Sequence, residues 1–233
     1  MIGTLINGGA IISGSLLGYF VGHKLGNSMR KSILQGLGLV TILIGLKMAL
    51  ETRNILLMLG SVLLGVIIGE LLKIDGWLEK LGNFIERIFQ KQGKGRFSEG
   101  FVTASIVFCT GPMAILGAIQ DGLSGNYQLL GIKSALDGVA SVAFSATLGF
   151  GVAFSSLSIL LYQGTITIFA VFLEPILTEP MILEITATGG LLIVGIGLKV
   201  LDLVQIKLAN FLPALVIAPL MAKFIPDLKH FLN

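Results

Sequence analysis

The sequence predicts an all-α, polytopic transmembrane bundle of about eight spans with an inverted internal repeat. Three observations carry that expectation. Mean hydropathy is +0.93, and charged residues make up 12% of the chain against 54% hydrophobic, about half the usual charged share of a soluble domain. Apolar runs near the roughly 20 residues that cross a bilayer recur along the whole chain. Finally, GLVTILIGLK at 38–47 and GLLIVGIGLK at 190–199 are identical at six of ten positions, at a constant offset of 152.

Taken in order, the spans fall near 2–22, 33–50, 55–72, 98–119, 134–154, 156–174, 181–201 and 208–225. The first lacks the charged start of a signal peptide and reads as a retained span. Its Gly14, Gly18 and Gly22 form a four-residue ladder suited to close helix packing, a homodimer seam included. The fourth and fifth spans are rich in Gly, Ser and Thr and read as a discontinuous central hairpin. A single transmembrane domain, 1–233, thus divides into a first repeat at 1–72, a cytoplasmic segment at 73–97, the hairpin at 98–154 and a second repeat at 156–225. Lys and Arg set the orientation. Loops after the first, third and seventh spans hold eleven of them against five on the other side. The heavily charged loops belong in the cytoplasm of a bacterial inner-membrane protein, with both termini outside.

Between the third and fourth spans, Ile74, Trp77, Leu78, Leu81, Phe84, Ile85 and Ile88 recur at helical spacing, with Glu79, Lys80, Glu86 and Arg87 between them. That pattern predicts an amphipathic helix, serving either as an anchor on the lipid surface or as a docking face for a partner. The segment Lys91 to Arg96 follows as a turn.

At an offset of 156, Leu5, Asn7, Gly8, Ile12 and Leu17 match Leu161, Gln163, Gly164, Ile168 and Leu173. The first span therefore pairs with the sixth, the second with the seventh and the third with the eighth. A shift of five places along an alternating series reverses direction, so the halves are expected to be related by an axis in the membrane plane. A fainter echo links Ala104–Cys109 with Ala140–Ser145.

Gly111 and Pro112 fall within the fourth span, where proline removes a backbone donor. Thr103, Ser105 and Thr110 flank the break, and Ser141, Ser145 and Thr147 add hydroxyls from the fifth span. Such oxygens fit a monovalent cation or small polar solute lining a wet cavity, or a packed kink whose hydroxyls bond their own helix. Asn7 and Gln163 occupy matching positions and fit either a substrate contacted from two sides or a pair of amides fastening helices. Asp121 and Asp137 are expected near the outer interface as candidates for ion coupling, with Lys133 one turn before Asp137 and able to pair with it. Glu174, Glu179 and Glu184 read as an acidic outer loop.

The stretches FCTGPMAILGAIQDGLSG (108–125) and KSALDGVASVAFSATLGFGV (133–152), YQGT (162–165), and the late TGG and LPAL segments resemble the YqgA/YdfK-like family of prokaryotic integral membrane proteins. That resemblance implies a membrane protein and supplies no substrate and no catalytic residue.

Enzymatic readings find no support in the residues. His23 and His230 lie at a loop and the tail, no Walker-type spacing is present, and the single cysteine, Cys109, excludes an internal disulfide. No cofactor, metal or nucleic acid is expected. The sequence points to a transporter of a small ion or polar solute working by alternating access, in contact with the lipid bilayer. The alternative is a non-transporting scaffold or sensor that docks a partner through the amphipathic helix.

Overall fold

The computed structural model of the protein describes residues 1–24, 26–77, 80 and 97–224. Of the expected amphipathic helix, Leu78, Glu79 and everything from Leu81 to Arg96 lie outside the described residues, as does His230. Among the described residues the chain is helical throughout: α1 (Ile2–Lys24), α2 (Asn27–Ala49), α3 (Ile55–Leu72), α4 (Phe97–Cys109), α5 (Pro112–Ser124), α6 (Gln128–Leu148), α7 (Gly151–Ile168), the single turn α8 (Ala170–Leu173), α9 (Glu179–Val200), a 3-10 turn (Leu208–Phe211) and α10 (Ala214–Phe224).

Six of these, α1, α2, α3, α6, α7 and α9, are long and apolar enough to cross a membrane, and α4 with α5, bent by 64°, forms either a broken seventh span or a re-entrant loop. Among the described residues the eighth expected span, Leu208 to Phe224, is shorter than a full crossing. Pro213 has no N–H to continue the preceding turn, so the segment splits into the 3-10 turn and an 11-residue α10. At 1.5 Å per residue α10 covers about 16 Å of a hydrocarbon layer about 30 Å thick.

The break expected in the fourth span lies between α4 and α5. Gly111 has φ +123° and ψ 152°, a region essentially reserved for glycine. Pro112 then opens α5, where its missing N–H has no carbonyl to serve. The fifth span, by contrast, is one continuous helix and begins at Gln128, six residues before the expected start.

Helix directions follow from which residues meet. Along α1 and α6, Gly3 faces Leu130, Gly14 faces Gly138 and Ser141, Gly18 faces Val142, and Gly22 faces Ala146. Both numbers rise together, so the pair is parallel. The glycine ladder is thus consumed within the chain: each missing side chain lets a carbonyl of α6 sit against the backbone of α1. On α2 and α9 the order reverses. Gly38 meets Leu201 and Gly197, Gly45 meets Val194 and Gly190, and Gly190 meets Ala49. Antiparallel packing also joins α3 to the α10 region, through Gly60 with Met221, Gly65 with Ala214 and Gly69 with Asn210. α7 runs antiparallel to α1 and parallel to α4, which it meets through the Phe97 and Phe154 rings, 5.0 Å apart, and the Ser105–Ser158 hydroxyl pair.

α9 sits in the middle, with 78% of its apolar window buried, whereas α3 buries 22% and turns Leu56, Leu64, Leu71 and Leu72 outward. A soluble protein would not expose such a face; in a bilayer it contacts acyl chains. A central core of Ile11, Phe108, Phe144, Leu148, Val152 and Ile159 joins α1, α4, α6 and α7, with Phe108 and Phe144 edge to face at 6.0 Å.

At one end of α9, Glu184 corrects the expectation of a solvated acidic loop. It is 3% exposed and accepts from the Thr52 hydroxyl at 2.8 Å and the Arg53 N–H at 2.9 Å, tying the α2–α3 loop to α9. Glu174, exposed in the turn before α9, and Glu179, which pairs on the surface with Arg53, behave as expected. Glu184→Ala leaves two loop donors without their acceptor and should cost about 1–3 kcal/mol. The check is the melting temperature in detergent, with Glu179→Ala within about 0.5 kcal/mol of the parent.

Candidate functional site

Asp137 lies nine residues into α6, about 14 Å along it, and is 8% exposed. The expected position near the interface followed from starting the span at residue 134; the longer helix carries the carboxylate inward. Lys133, one turn earlier and 5% exposed, pairs with Asp137 Oδ2 as the spacing predicts. α1 brings Asn7, whose Nδ2 donates to the same Oδ2 at 3.0 Å. α7 brings Gln163, whose Oε1 accepts from Asn7 Nδ2 at 3.4 Å. Both amide residues are fully buried.

Four polar side chains from α1, α6 and α7 therefore converge at a formally neutral cluster, surrounded by helices that are otherwise apolar. Its hydrogen-bonding capacity is not used up. Asn7 Oδ1 and Gln163 Nε2 are buried with no partner among the described residues, one an acceptor and the other a donor. Buried polar groups ordinarily have partners, because leaving one unpaired costs about 1–3 kcal/mol. One turn away on the same faces, the hydroxyls of Thr4 and Thr167 lie 3.4 Å apart. The signal for these two threonines in the sequence is spacing alone: Thr4 precedes Asn7 by three residues and Thr167 follows Gln163 by four, as side chains that share a helix face do.

Asp121 is also buried, at 4% exposure, in a different setting. Its Oδ2 accepts from the Gly3 N–H at 3.0 Å and lies 3.1 Å from the Met1 amino nitrogen. A carboxylate there satisfies an amide donor that the first turn of α1 cannot pair internally and complements the positive helix end. Asp121 and Asp137 thus occupy separate environments.

The hydroxyl set expected around the break does not assemble. Ser141 donates to Gly138 O at 2.7 Å, Ser145 to Gly149 O at 3.2 Å and Thr147 to Ala143 O and Phe144 O, all within or just beyond their own helix. Ser105 shares a 2.8 Å hydrogen bond with Ser158 of α7. Thr110, beside Gly111, packs its methyl group against Gly189, and its hydroxyl is buried without a partner among the described residues. Ser105 and Thr110 do line a hollow of about 730 Å³ bounded by α4, α5, α7, α9 and α10. Its walls are mainly apolar, including Phe101, Ile106, Leu161, Ile166, Leu212 and Val216. Among the described residues no group of three or more His, Cys, Asp or Glu side chains is placed to hold a metal ion.

Known proteins give a consistent picture. The chain is 31% identical over 225 residues to the "Uncharacterized membrane protein YdfK" of Bacillus subtilis (strain 168), covering 95% of each chain. It is 30% identical over 227 residues to the "Uncharacterized protein YqgA" of Escherichia coli (strain K12), covering 95% of this chain and 97% of that one. No solved structure matches. A family model described as "Protein of unknown function (DUF554)" matches residues 2–223, nearly every residue that builds the helices and the buried cluster. The chain is a membrane protein that belongs to this family.

Proposed function

We propose that the protein moves a small ion or polar solute across the bacterial cytoplasmic membrane by alternating access between two inverted halves. On this reading Asn7 and Gln163 contact the substrate and Asp137, poised by Lys133, couples an ion. The observation that carries it is the buried Lys133–Asp137 pair joined to two amides with unspent hydrogen-bonding atoms. Ionisable residues at membrane depth are costly and mark ion or substrate pathways by default.

Two features support the inverted halves. Asn7 and Gln163 are matched at an offset of 156, and in the antiparallel crossing of α1 and α7 they meet each other; an axis between the halves requires its equivalent residues to do so. The α2–α9 seam has the same property at an offset of 152. There Gly38 against Leu201 is the image of Gly190 against Ala49, and Ile42 against Gly197 is the image of Val194 against Gly45. Repeat transporters place the substrate site at such an interface. On the same proposal both termini face outside and the charged loops face the cytoplasm.

Flux into liposomes containing purified protein, measured for a panel of cations and small polar metabolites, tests the proposal. At least one solute should move faster than into empty vesicles, and Asp137→Asn should cut that flux at least tenfold. No flux for any solute overturns the reading and leaves the scaffold that docks a partner. Flux unchanged by Asp137→Asn removes the carboxylate from the mechanism.

A further inference from the structure

We propose that the 730 Å³ hollow beside the α4–α5 break is a binding site for hydrocarbon, occupied in the membrane by an acyl chain of a surrounding lipid. Its size is that of small-molecule sites, which run from about 300 to 1,000 Å³, and far exceeds the voids that close-packed interiors leave empty. Water is a poor occupant. Within a mainly apolar lining, Ser105 and Ser158 already hydrogen-bond to each other at 2.8 Å, and the other hydroxyl-bearing side chains are Thr110, Tyr162 and Thr165. An apolar cavity without convergent polar partners stays dry and takes apolar guests.

The origin of the hollow also identifies its mouth. The 64° bend swings α5 away from the line of α4, and among the described residues the segment opposite, Leu208 to Phe224, is shorter than a full crossing. Leu161 of α7 and Val216 of α10 belong to the wall yet are 72% and 64% exposed. They place the opening on an outer apolar surface, where the only abundant neighbour in a bilayer is acyl chain. The matching seam between α1 and the unbroken α6 is sealed by carbonyls against Gly14, Gly18 and Gly22, so lipid entry is expected at the broken side alone. This inference stands apart from the transport reading, because it uses none of Asn7, Lys133, Asp137 or Gln163.

The test uses tryptophan fluorescence in vesicles of phosphatidylcholine with brominated acyl chains, which quench only on near contact. Trp77→Phe removes the chain's one tryptophan, and three Phe→Trp variants are made in that background. Phe101→Trp reports from the wall of the hollow, Phe172→Trp from the exposed surface and Phe144→Trp from the sealed core. Phe101→Trp should lose at least half as much emission as Phe172→Trp, while Phe144→Trp stays bright and aqueous iodide leaves Phe101→Trp unaffected. If Phe101→Trp is as bright in brominated lipid as Phe144→Trp, no chain enters and the proposal fails. Quenching by iodide shows a water-filled hollow and overturns it equally. Should Phe101→Trp not fold, Tyr162→Trp lines the same hollow and decides between the same outcomes.

Discussion

Gly18→Leu is expected to abolish most of the folded yield, and Gly18→Ala to lower the melting temperature in detergent by several degrees. Even a methyl group at Gly18 would collide with the Val142 carbonyl and its carbon atoms on α6. Backbone cannot rotate aside as a flexible side chain can, so the two helices must separate along the seam. Overpacking of this kind costs about 1–3 kcal/mol and more when backbone has to move, or about 2–4 °C per kcal/mol for a chain of this length. Gly9 on the same helix supplies the control, since a Cβ there meets nothing within 4 Å. Gly9→Ala should leave the melting temperature unchanged or raise it slightly, as alanine is favoured over glycine in a helix by up to about 1 kcal/mol. Equal losses for the two alanine variants would show that α1 and α6 do not pack through the glycine face. Because that seam lies within one chain, its loss should appear in the folding of the monomer and not merely in an oligomeric state.

The second large effect concerns the buried pair. Lys133→Met leaves the Asp137 carboxylate buried with no cation, and Asp137→Leu leaves the Lys133 ammonium with no anion; the side chains are 7% and 11% exposed. Breaking one side of a buried ion pair typically costs about 3–5 kcal/mol, whereas replacing both partners by apolar groups is often neutral. The double variant Lys133→Met/Asp137→Leu should therefore melt well above either single variant. Single substitutions whose effects simply add would mean that the two charges do not depend on each other. The cycle also separates folding from transport. A double variant that regains stability and carries no flux assigns the pair to function; one that regains both shows that the charges only fasten α6.

Class and span pattern were legible because they rest on local, additive quantities. Apolar run lengths, charge between runs and a period of glycines on α1 can be counted without knowing what touches what. The Gly111–Pro112 break was legible for the same reason, since each residue restricts its own backbone. Lys133 with Asp137 required only the geometry of one helical turn.

What the sequence could not supply was depth and partnership. Beginning α6 at Gln128 instead of residue 134 moved Asp137 from the edge towards the middle of the span, and a run of hydropathy alone does not mark where a helix starts. Glu184 reads in sequence as one of three outer-loop acids, yet it lies inside α9 beneath the α2–α3 loop, whose Thr52 hydroxyl and Arg53 N–H donate to it. The hydroxyls near the break shared a composition and not a site, because Ser141, Ser145 and Thr147 donate to carbonyls of or just beyond their own helix and Ser105 pairs with Ser158 on a neighbour that no local pattern names. Asn7, Asp137 and Gln163 are separated by up to 156 positions and meet only because the glycine seam brings α1 onto α6 while α7 crosses α1 in the opposite direction. By itself the sequence determined that this chain lives in lipid, roughly where it crosses and which residues are unusual there. Tertiary structure decided which of those residues share a site, since burial and hydrogen bonding depend on the neighbours that packing supplies.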